Sequence, residues 1–245
     1  MRAMVLAAGL GMRLRPLTND RPKALVAVAG RTMLDITLSR LREFGITDVV
    51  INAHHFAQAL IDYLCANGNF GMNLHVSRED VLLDTGGGLK KAACFFAGSD
   101  EPFLLHNVDV LSNIDFGRML QQHREQDALA TLAVHDRPGS RLLLFDEQPQ
   151  LCGRRIMKTG IDEIVRPSTK LTPLAFTGIH VISPEIFGLM TEAGAFAIVD
   201  CYLRLAKEGC RIAAFRADDY YWRDVGTEAS LRAAERDLLS GRVGQ

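Results

Sequence analysis

The stretch that decides the fold opens the chain: residues 6–18 read LAAGLGMRLRPLT and residues 21–30 read RPKALVAVAG. The apolar run Met4–Ala7 predicts a buried strand, which ends in small residues and glycines. Backbone N–H groups after such a strand can wrap an anion, and ligands bind at this carboxyl edge of open α/β sheets. Arg13 and Lys23 lie in the same loop, so both cations can converge on a polyphosphate.

Outward from this stretch, short apolar runs alternate with amphipathic ones. The first half predicts strands at Asp48–Asn52, Leu74–Ser77 and Phe103–His106, and helices at Thr32–Phe44, Phe56–Leu64, Gly88–Phe96 and 115–126. The second half predicts strands at Leu129–Val134, Leu142–Phe145, Ala175–Ile182 and Ile212–Arg216, and helices at Val199–Lys207 and Thr227–Leu239. The polar residues 146–173 predict a small β excursion. We expect an α/β fold of three layers, in which helices cover both faces of a mostly parallel central sheet.

The composition sets limits on the function. Of 245 residues, 48% are hydrophobic and 23% charged, which suits one domain over 1–245 and excludes a disordered chain. The formal net charge of −1 argues against nucleic acid as the main partner. No apolar stretch approaches the roughly 20 residues of a membrane span, and Gly9 and Gly11 interrupt the apolar start. Because the five scattered cysteines favour free thiols, we expect a cytoplasmic protein with no membrane partner.

The opening loop does not match either of two common phosphate-binding motifs. A dinucleotide-binding GxGxxG needs glycine where Leu14 stands, and a Walker A loop needs a Gly-Lys pair, which the sequence lacks. The loop instead resembles the signature LAAGxGxRLxPLT, followed by PKxLxxVxG, of the sugar-phosphate nucleotidylyltransferases, with Thr32 standing where members usually carry proline. The resemblance covers most of the chain in pieces and is greatest to short bacterial members similar to N-acetylmuramate-1-phosphate uridylyltransferase.

This resemblance implies a Rossmann-like fold of the nucleotide-diphospho-sugar transferase type. Residues from about 1 to 110 would form its nucleotide-binding half and residues from about 111 to 240 its sugar-phosphate-binding half. Only about one helix follows the Asp224 segment, so we do not expect the left-handed β-helix acyltransferase domain of some longer relatives.

Three further motifs supply candidate site residues. Residues 103–109 read FLLHNVD, an apolar strand that ends in Asp109, and a carboxylate at this position is well placed to hold Mg²⁺. Val108 replaces a glycine of the family pattern. Residues 221–227 read YWRDVGT and match the family's W-x-D-[IV]-G-T at Asp224. Residues 83–88 read LDTGGG, whose glycines would let a flat base approach the backbone.

The resemblance implies Mg²⁺-dependent transfer of a nucleotidyl group from an NTP, with UTP favoured, to a sugar 1-phosphate, with release of pyrophosphate. Arg13 would bind the departing pyrophosphate, Lys23 the α-phosphate region, and Asp109 and Asp224 the metal ion. The implied nucleotide-binding residues are Leu6, Ala7, Ala8, Gly9, Gly11, Met12, Arg13, Lys23, Thr85, Gly86 and Gly87. The implied substrate-binding residues are Asn107, Arg166 and Gly178.

Acceptor recognition is less constrained. Val165-Arg166-Pro167 stands where the family often has Glu-Lys-Pro, so Arg166 could replace the lysine and Glu163 the glutamate. Adjacent residues on an extended chain point apart, so His54 and His55 are expected to be hydrogen-bonded loop residues, or a substrate contact, rather than a shared metal site. Trp222 is expected to be a packing anchor.

Two other functions stay open at this point. The acceptor could be a non-sugar phosphate such as phosphocholine, or the chain could be a non-catalytic nucleotide-sugar-binding regulator on the same fold. A phosphate oxygen with a second pKa of about 6 is ionised near neutrality, so a transferase would need no general base. The oligomeric state is left open.

Overall fold

A sheet of ten strands forms the centre of the computed structural model, which describes residues 1–242. Within these residues the strands are β1 (Ala3–Leu6), β2 (Ala27–Val28), β3 (Arg31–Thr32), β4 (Asp48–Ala53), β5 (Asn73–Arg78), β6 (Phe103–Asn107), β7 (Val110–Ser112), β8 (Ala130–His135), β9 (Arg141–Phe145), β10 (Leu151–Ile156), β11 (Ile161–Ile164), β12 (Thr172–Ile182), β13 (Ile212–Arg216) and β14 (Trp222–Asp224). The helices are α1 (Met33–Glu43), α2 (Ala57–Ala66), α3 (Asp84–Lys91), α4 (Ala93–Phe96), α5 (Phe116–Glu125), α6 (Ile186–Leu189), α7 (Ile198–Lys207) and α8 (Glu228–Leu239).

The strand order places the carboxyl ends of the first-half strands at one edge. Eight strands follow the order β11-β10-β9-β12-β6-β1-β4-β5, while β8 pairs with β12 and with β13. The pairs of β1 with β4, β1 with β6 and β4 with β5 are parallel, and Leu6 is in register with both Asn52 and Asn107. Strand β12 then runs antiparallel to β6, β8 and β9. The expected α/β fold is confirmed, with a sheet that is parallel in the first half and mixed in the second.

Side chains of β1 alternate between two hydrophobic cores. Ala3 and Val5 contribute to one core, and Met4 contributes to the other. Helices α1, α2 and α8 cover the first core through residues such as Leu34, Leu60 and Leu231, and helices α3 and α7 cover the second through Leu89 and Tyr202. Alternation along a strand sends neighbouring side chains to opposite faces of the sheet. The three-layer arrangement is therefore confirmed.

The structure differs from the sequence expectation at elements held by distant partners. Helix α3 begins at Asp84, whereas the expected helix began at Gly88. The pair β7–β14 joins segments more than a hundred positions apart, and strands of three residues carry no periodic pattern that could predict them. Strands β10 and β11 form the expected β excursion, antiparallel and next to β9.

Three smaller features bear on earlier expectations. The Thr32 side chain, at the start of the helix expected from Thr32 to Phe44, caps α1 by accepting a hydrogen bond from the Asp35 N–H at 3.0 Å. The five cysteines are all free thiols. Within residues 1–242, no helix combines the length and the apolar character needed to cross a bilayer.

Candidate active site

A buried amide and a buried carboxyl hold the end of β1. The side chain of Asn52, at the end of β4, accepts hydrogen bonds from the N–H groups of Ala7 at 2.6 Å and Ala8 at 3.3 Å. Its Nδ2 donates to Glu79 at 2.7 Å, and the other Glu79 oxygen accepts from the N–H of Leu83 at 3.0 Å. Asn52 and Glu79 are each only 2% exposed. This network ties the glycine loop to the start of α3, and sequence reasoning missed both residues because neither stands in a recognisable motif.

Gly11 allows the loop to fold back on itself. Its φ is +63°, and a Cβ at this position would lie 2.8 Å from Thr18 Cγ2 and 3.2 Å from Lys23 Cβ. The Thr18 hydroxyl donates to the Gly11 carbonyl at 3.0 Å. Within residues 1–242, no backbone hydrogen bond uses the N–H of Gly9, Leu10 or Gly11. The loop therefore offers unused donors for an anion, beside the lysine.

Four charged groups meet at this edge. Lys23 forms an ion pair with Asp109, and their side chains are 11% and 18% exposed. Pairing of β14 with β7 places Asp224 opposite Val110, immediately after Asp109. Arg13 Nη2 lies 2.7 Å from where a Cβ on Gly226 would stand, so the guanidinium packs on that glycine. The structure thus brings together the two cations and the two carboxylates that the sequence singled out.

The ionised form of Asp224 is electrostatically unfavourable in this cluster. Burial raises the pKa of this carboxyl above its usual value, and the neighbouring charge of Asp109 raises it further. Lys23, the Gly226 N–H and Arg13 oppose these effects. The Gly226 N–H donates to the Asp224 carboxylate at 2.8 Å. The cluster therefore holds one carboxylate in an ion pair, Asp109, and one, Asp224, that forms no ion pair with any residue of 1–242.

These carboxylates fit a magnesium ion. Mg²⁺ prefers hard oxygen ligands and is commonly held by one or two carboxylates together with substrate phosphates and water. Among residues 1–242, no group of three or more metal-ligating side chains is present. Asp109 and Asp224 supply the two carboxylates, and the repulsion that raises the pKa of Asp224 is what a cation between them would relieve.

A cleft of about 480 Å³ opens beside the cluster. Its walls come from the carboxyl ends of β1, β4 and β6, from the start of α3 and from the loop before α7. The lining residues are Leu6, Ala8, Gly9, Asn52, Leu82, Asp84, Thr85, Asn107, Asp109 and Ala195. Six of them are among the expected binding residues. Met12 is 63% exposed on the outside of the loop, whereas Ala7 is buried and gives its N–H to Asn52.

Two glycines of the triplet pack closely against the loop before α7. A Cβ on Gly86 would lie 2.3 Å from the Phe196 ring, and one on Gly87 would lie 2.4 Å from the Gly194 carbonyl oxygen. The N–H groups of Gly86 and Gly87 both donate to the Phe196 carbonyl. Gly86 and Gly87 therefore let α3 pack against the loop before α7. Nucleotide contact by this segment is better supported at Thr85, which lines the cleft.

Of the residues expected to bind the acceptor, two lie beside the cleft and one is engaged in an ion pair. Gly178 has a φ of +84° and sits in the irregular part of β12, where a Cβ would lie 2.6 Å from Asn107 Nδ2. Arg166 is instead engaged in an ion pair with Asp146. Glu163, the suggested substitute for the family's glutamate, pairs with Arg154 at 2.7 Å. The structure joins Asn107 and Gly178 beside the cleft but gives Arg166 a partner of its own.

The paired histidines are loop residues. Nδ1 of His54 is hydrogen-bonded to the Glu79 carbonyl at 2.9 Å, while the His55 ring lies against Phe56 with centroids 4.0 Å apart. The two rings have separate neighbours, as expected from alternation along an extended chain.

Comparison with known proteins decides the family. A sequence model described as Nucleotidyl transferase matches residues 2–241. The chain belongs to the nucleotidyl transferase family. It is therefore an enzyme that transfers a nucleotidyl group, and the regulator without catalysis that the sequence left open is not supported.

Similar proteins carry related names. An N-acetylmuramate alpha-1-phosphate uridylyltransferase of Caulobacter vibrioides is 35% identical, with 96% of each chain covered. A protein of the same name from Neisseria meningitidis is 32% identical, covering 96% of this chain and 97% of the other. The structure of a putative glucose-1-phosphate thymidylyltransferase from Bacillus anthracis superposes with a TM-score of 0.78 at 19% identity, covering 96% of this chain and 94% of that one. The last of these supports the fold alone.

The packing of the triplet leads to a first prediction. Gly86→Ala should lower the free energy of unfolding of this nucleotidyl transferase by about 1–3 kcal/mol, because the added methyl group meets Phe196. The loss should be smaller when Phe196→Ala is already present, because the ring is gone. Gly188→Ala is the matched control, since no atom lies within 4 Å of a Cβ there. Urea unfolding of the wild type, the three single variants and the Gly86→Ala/Phe196→Ala double variant measures these differences. An unchanged unfolding free energy in Gly86→Ala, with a raised KM for the NTP, would favour a base contact instead.

The charge cluster leads to a second prediction, which concerns the thermal stability of the metal-free protein. In EDTA at pH 7, Asp224→Asn should raise Tm, because it removes a buried charge repelled by Asp109 and can keep the bond from the Gly226 N–H. Asp109→Asn should lower stability by about 1–3 kcal/mol, because it deprives the buried Lys23 of its charged partner. For a chain of this size, each kcal/mol corresponds to about 2–4 °C in Tm.

The pH dependence follows from the direction of the shift. A carboxyl with a raised pKa destabilises the fold when it is ionised, so its cost is present at pH 7. The cost falls as the pH drops through the folded pKa, and it disappears well below about pH 4, where the group is protonated in both folded and unfolded chains. The advantage of Asp224→Asn should therefore shrink as the pH falls from 7 towards 4. Equal destabilisation by both substitutions at pH 7 would refute the proposed charge arrangement.

Proposed function

We propose that this enzyme transfers a nucleotidyl group from an NTP, with UTP favoured, to a sugar 1-phosphate, which yields an NDP-sugar and pyrophosphate. The observation that carries the proposal is the convergence of Arg13 and Lys23 with Asp109 and Asp224 beside the cleft. The names of the relatives from Caulobacter and Neisseria support a uridylyl group. A mannose-1-phosphate guanyltransferase of Yarrowia lipolytica, 28% identical over 98% of this chain and 63% of its own length, represents the guanylyl alternative.

The reaction asks for charge neutralisation and alignment rather than for a proton acceptor. The attacking phosphate oxygen is already ionised near neutrality, since its second pKa is about 6. Two polyanions must approach each other in line, and fixed cations reduce their repulsion. The loop after β1 meets this need, because it combines unused N–H donors at Gly9 and Gly11 with the exposed guanidinium of Arg13.

Lys23 and Arg13 act on different phosphates of the NTP in the proposed reaction. Lys23 is largely buried and fixed beside Asp109, so it acts on the α-phosphate region, where the bond is broken. Arg13 is exposed at the outer side of the same cluster, so it binds the departing pyrophosphate. Arginine presents a planar fork that matches phosphate oxygens, while lysine supplies a compact charge. The two residue types suit these positions.

Asp109 and Asp224 would hold Mg²⁺. When bound, this ion neutralises charge on the phosphate oxygens. We place the enzyme in the cytoplasm, in line with its free thiols, and in the synthesis or recycling of cell-wall or surface-glycan sugars, in line with the relatives' names.

Release of pyrophosphate tests the proposal. The purified protein is assayed with Mg²⁺, each of four NTPs, and a panel of acceptors: N-acetylmuramate 1-phosphate, N-acetylglucosamine 1-phosphate, glucose 1-phosphate, mannose 1-phosphate and phosphocholine. We expect turnover to require a sugar 1-phosphate and to be fastest with UTP. Lys23→Ala should lower turnover about 10²–10³-fold, since it removes a charged contact to the reacting group.

Arg155→Ala serves as a matched control, because Arg155 pairs with Asp162 in the β excursion, outside the cluster and the cleft. Its turnover should equal that of the wild type. Preferred use of phosphocholine would establish the non-sugar alternative. Wild-type turnover in folded Lys23→Ala, or no release with any pair of substrates, would contradict the proposal.

A further inference from the structure

Among the residues that the structure describes, Arg137 forms no ion pair, and its guanidinium lies over an aromatic ring. Its guanidinium carbon lies 3.8 Å from the centroid of the Trp222 ring, close enough for a cation–π contact. Its hydrogen bonds within residues 1–242 are long and go to neutral carbonyls, from Nη1 to Pro138 at 3.3 Å and from Nη2 to Phe176 at 3.4 Å. Its Nε is buried and has no partner among the described residues. The guanidinium of Arg137 therefore has N–H groups that no described residue accepts from at short distance, and these can donate to a ligand.

Many arginines of the second half have a carboxylate partner, which Arg137 lacks among residues 1–242. Each of the following pairs with a carboxylate: Arg154, Arg155, Arg166, Arg204, Arg216 and Arg223. Partial burial lowers the pKa of Arg137 below its usual value, and the charge of Asp224 offsets this only in part. Burying a cation without a paired anion costs stability, so an anionic ligand at this point would be bound favourably.

The platform lies on the acceptor side of the reaction centre. Trp222 and Asp224 are two positions apart on β14, so their side chains leave the same face of the strand. Trp222 Nε1 donates to the Thr177 carbonyl at 2.8 Å, directly before Gly178, which packs on Asn107. Arg137 thus lies between the carboxylate that would hold the metal and the strand expected to face the acceptor.

A second unpartnered nitrogen lies at the same place. His135 is two positions before Arg137, and its buried Nε2 has no partner among the described residues. Its ring centroid is 6.1 Å from that of Trp222. Buried polar atoms almost always have a hydrogen-bond partner, so these two nitrogens are available to a bound molecule.

We propose that Arg137, held over the Trp222 ring, binds an anionic group of the acceptor, either its phosphate or a carboxylate carried by its sugar. The inference rests on the proposed function and specifies which residue recognises the acceptor. A planar guanidinium binds phosphate and carboxylate oxygens through two parallel hydrogen bonds. Arg166, which the resemblance assigned to this task, already has Asp146 as its partner.

Kinetics with two acceptors test the subsite. N-acetylmuramate 1-phosphate carries a carboxylate and a phosphate, whereas N-acetylglucosamine 1-phosphate carries the phosphate alone. With Mg²⁺ and saturating UTP, Arg137→Ala should raise the acceptor KM about 10- to 100-fold, the loss expected for a charge-assisted hydrogen-bond pair. The KM for UTP should change less than about two-fold. Arg137→Lys should recover only part of the loss, because an ammonium lacks the fork.

The two acceptors identify the anion. A raised KM for both assigns Arg137 to the phosphate, and a raised KM for N-acetylmuramate 1-phosphate alone assigns it to the carboxylate. Arg155→Ala should leave both KM values unchanged. Unchanged acceptor KM values in active Arg137→Ala would overturn the subsite and leave the proposed function standing. A wild-type protein without turnover would instead overturn the proposed function.

Fluorescence gives a readout that does not depend on turnover. Trp222 is the only tryptophan of the chain, so its emission reports on the subsite directly. Addition of N-acetylmuramate 1-phosphate should change the emission of the wild type with saturation, and should do so at about 10- to 100-fold higher concentration in Arg137→Gln. Equal midpoints in the two proteins would contradict the proposal.

Discussion

The ion pair between Lys23 and Asp109 is the contact on which the rest of the candidate site depends. It joins the loop after β1 to the end of β6 across 86 positions of sequence, and both side chains are largely buried. It can form only because β1 and β6 run parallel and end at the same edge of the sheet. Gly11 then lets the loop turn so that Lys23 reaches that edge.

The same arrangement of charges that suits nucleotidyl transfer also lowers the stability of the fold. The short β7–β14 ladder places Asp224 beside the pair, where it forms no ion pair with any described residue. A fold selected for stability alone would place a neutral residue there. An enzyme that must gather a metal ion and two polyanions benefits from carboxylates and cations already fixed in position, because little reorganisation then accompanies the reaction. We apply the same reasoning to the guanidinium of Arg137, which forms no ion pair within residues 1–242 and lies within the electrostatic influence of Asp224.

Features that depend on residues close together in the sequence could be predicted, whereas most contacts between distant segments could not. The strand β1, the glycine loop and the Thr32 cap follow from local patterns, and the structure contains all three. Lys23, Asp109 and Asp224 were singled out because they stand in dense motifs, and the structure brings them together. Asn52 and Glu79 were missed, because a buried amide–carboxylate network between strand ends has no local pattern. The packing of the glycines against Phe196 and the stacking of Arg137 on Trp222 were missed for the same reason.

Phosphorus NMR of the complete reaction tests the central claim most directly. The protein is mixed with Mg²⁺, UTP and N-acetylmuramate 1-phosphate, and the phosphate species are followed over time. The account predicts that UTP and the sugar phosphate disappear together while a sugar nucleotide diphosphate and pyrophosphate appear in equal amounts. Formation of UMP and pyrophosphate without a sugar nucleotide would contradict it, because the charged edge would then hydrolyse the nucleotide rather than transfer it to an acceptor.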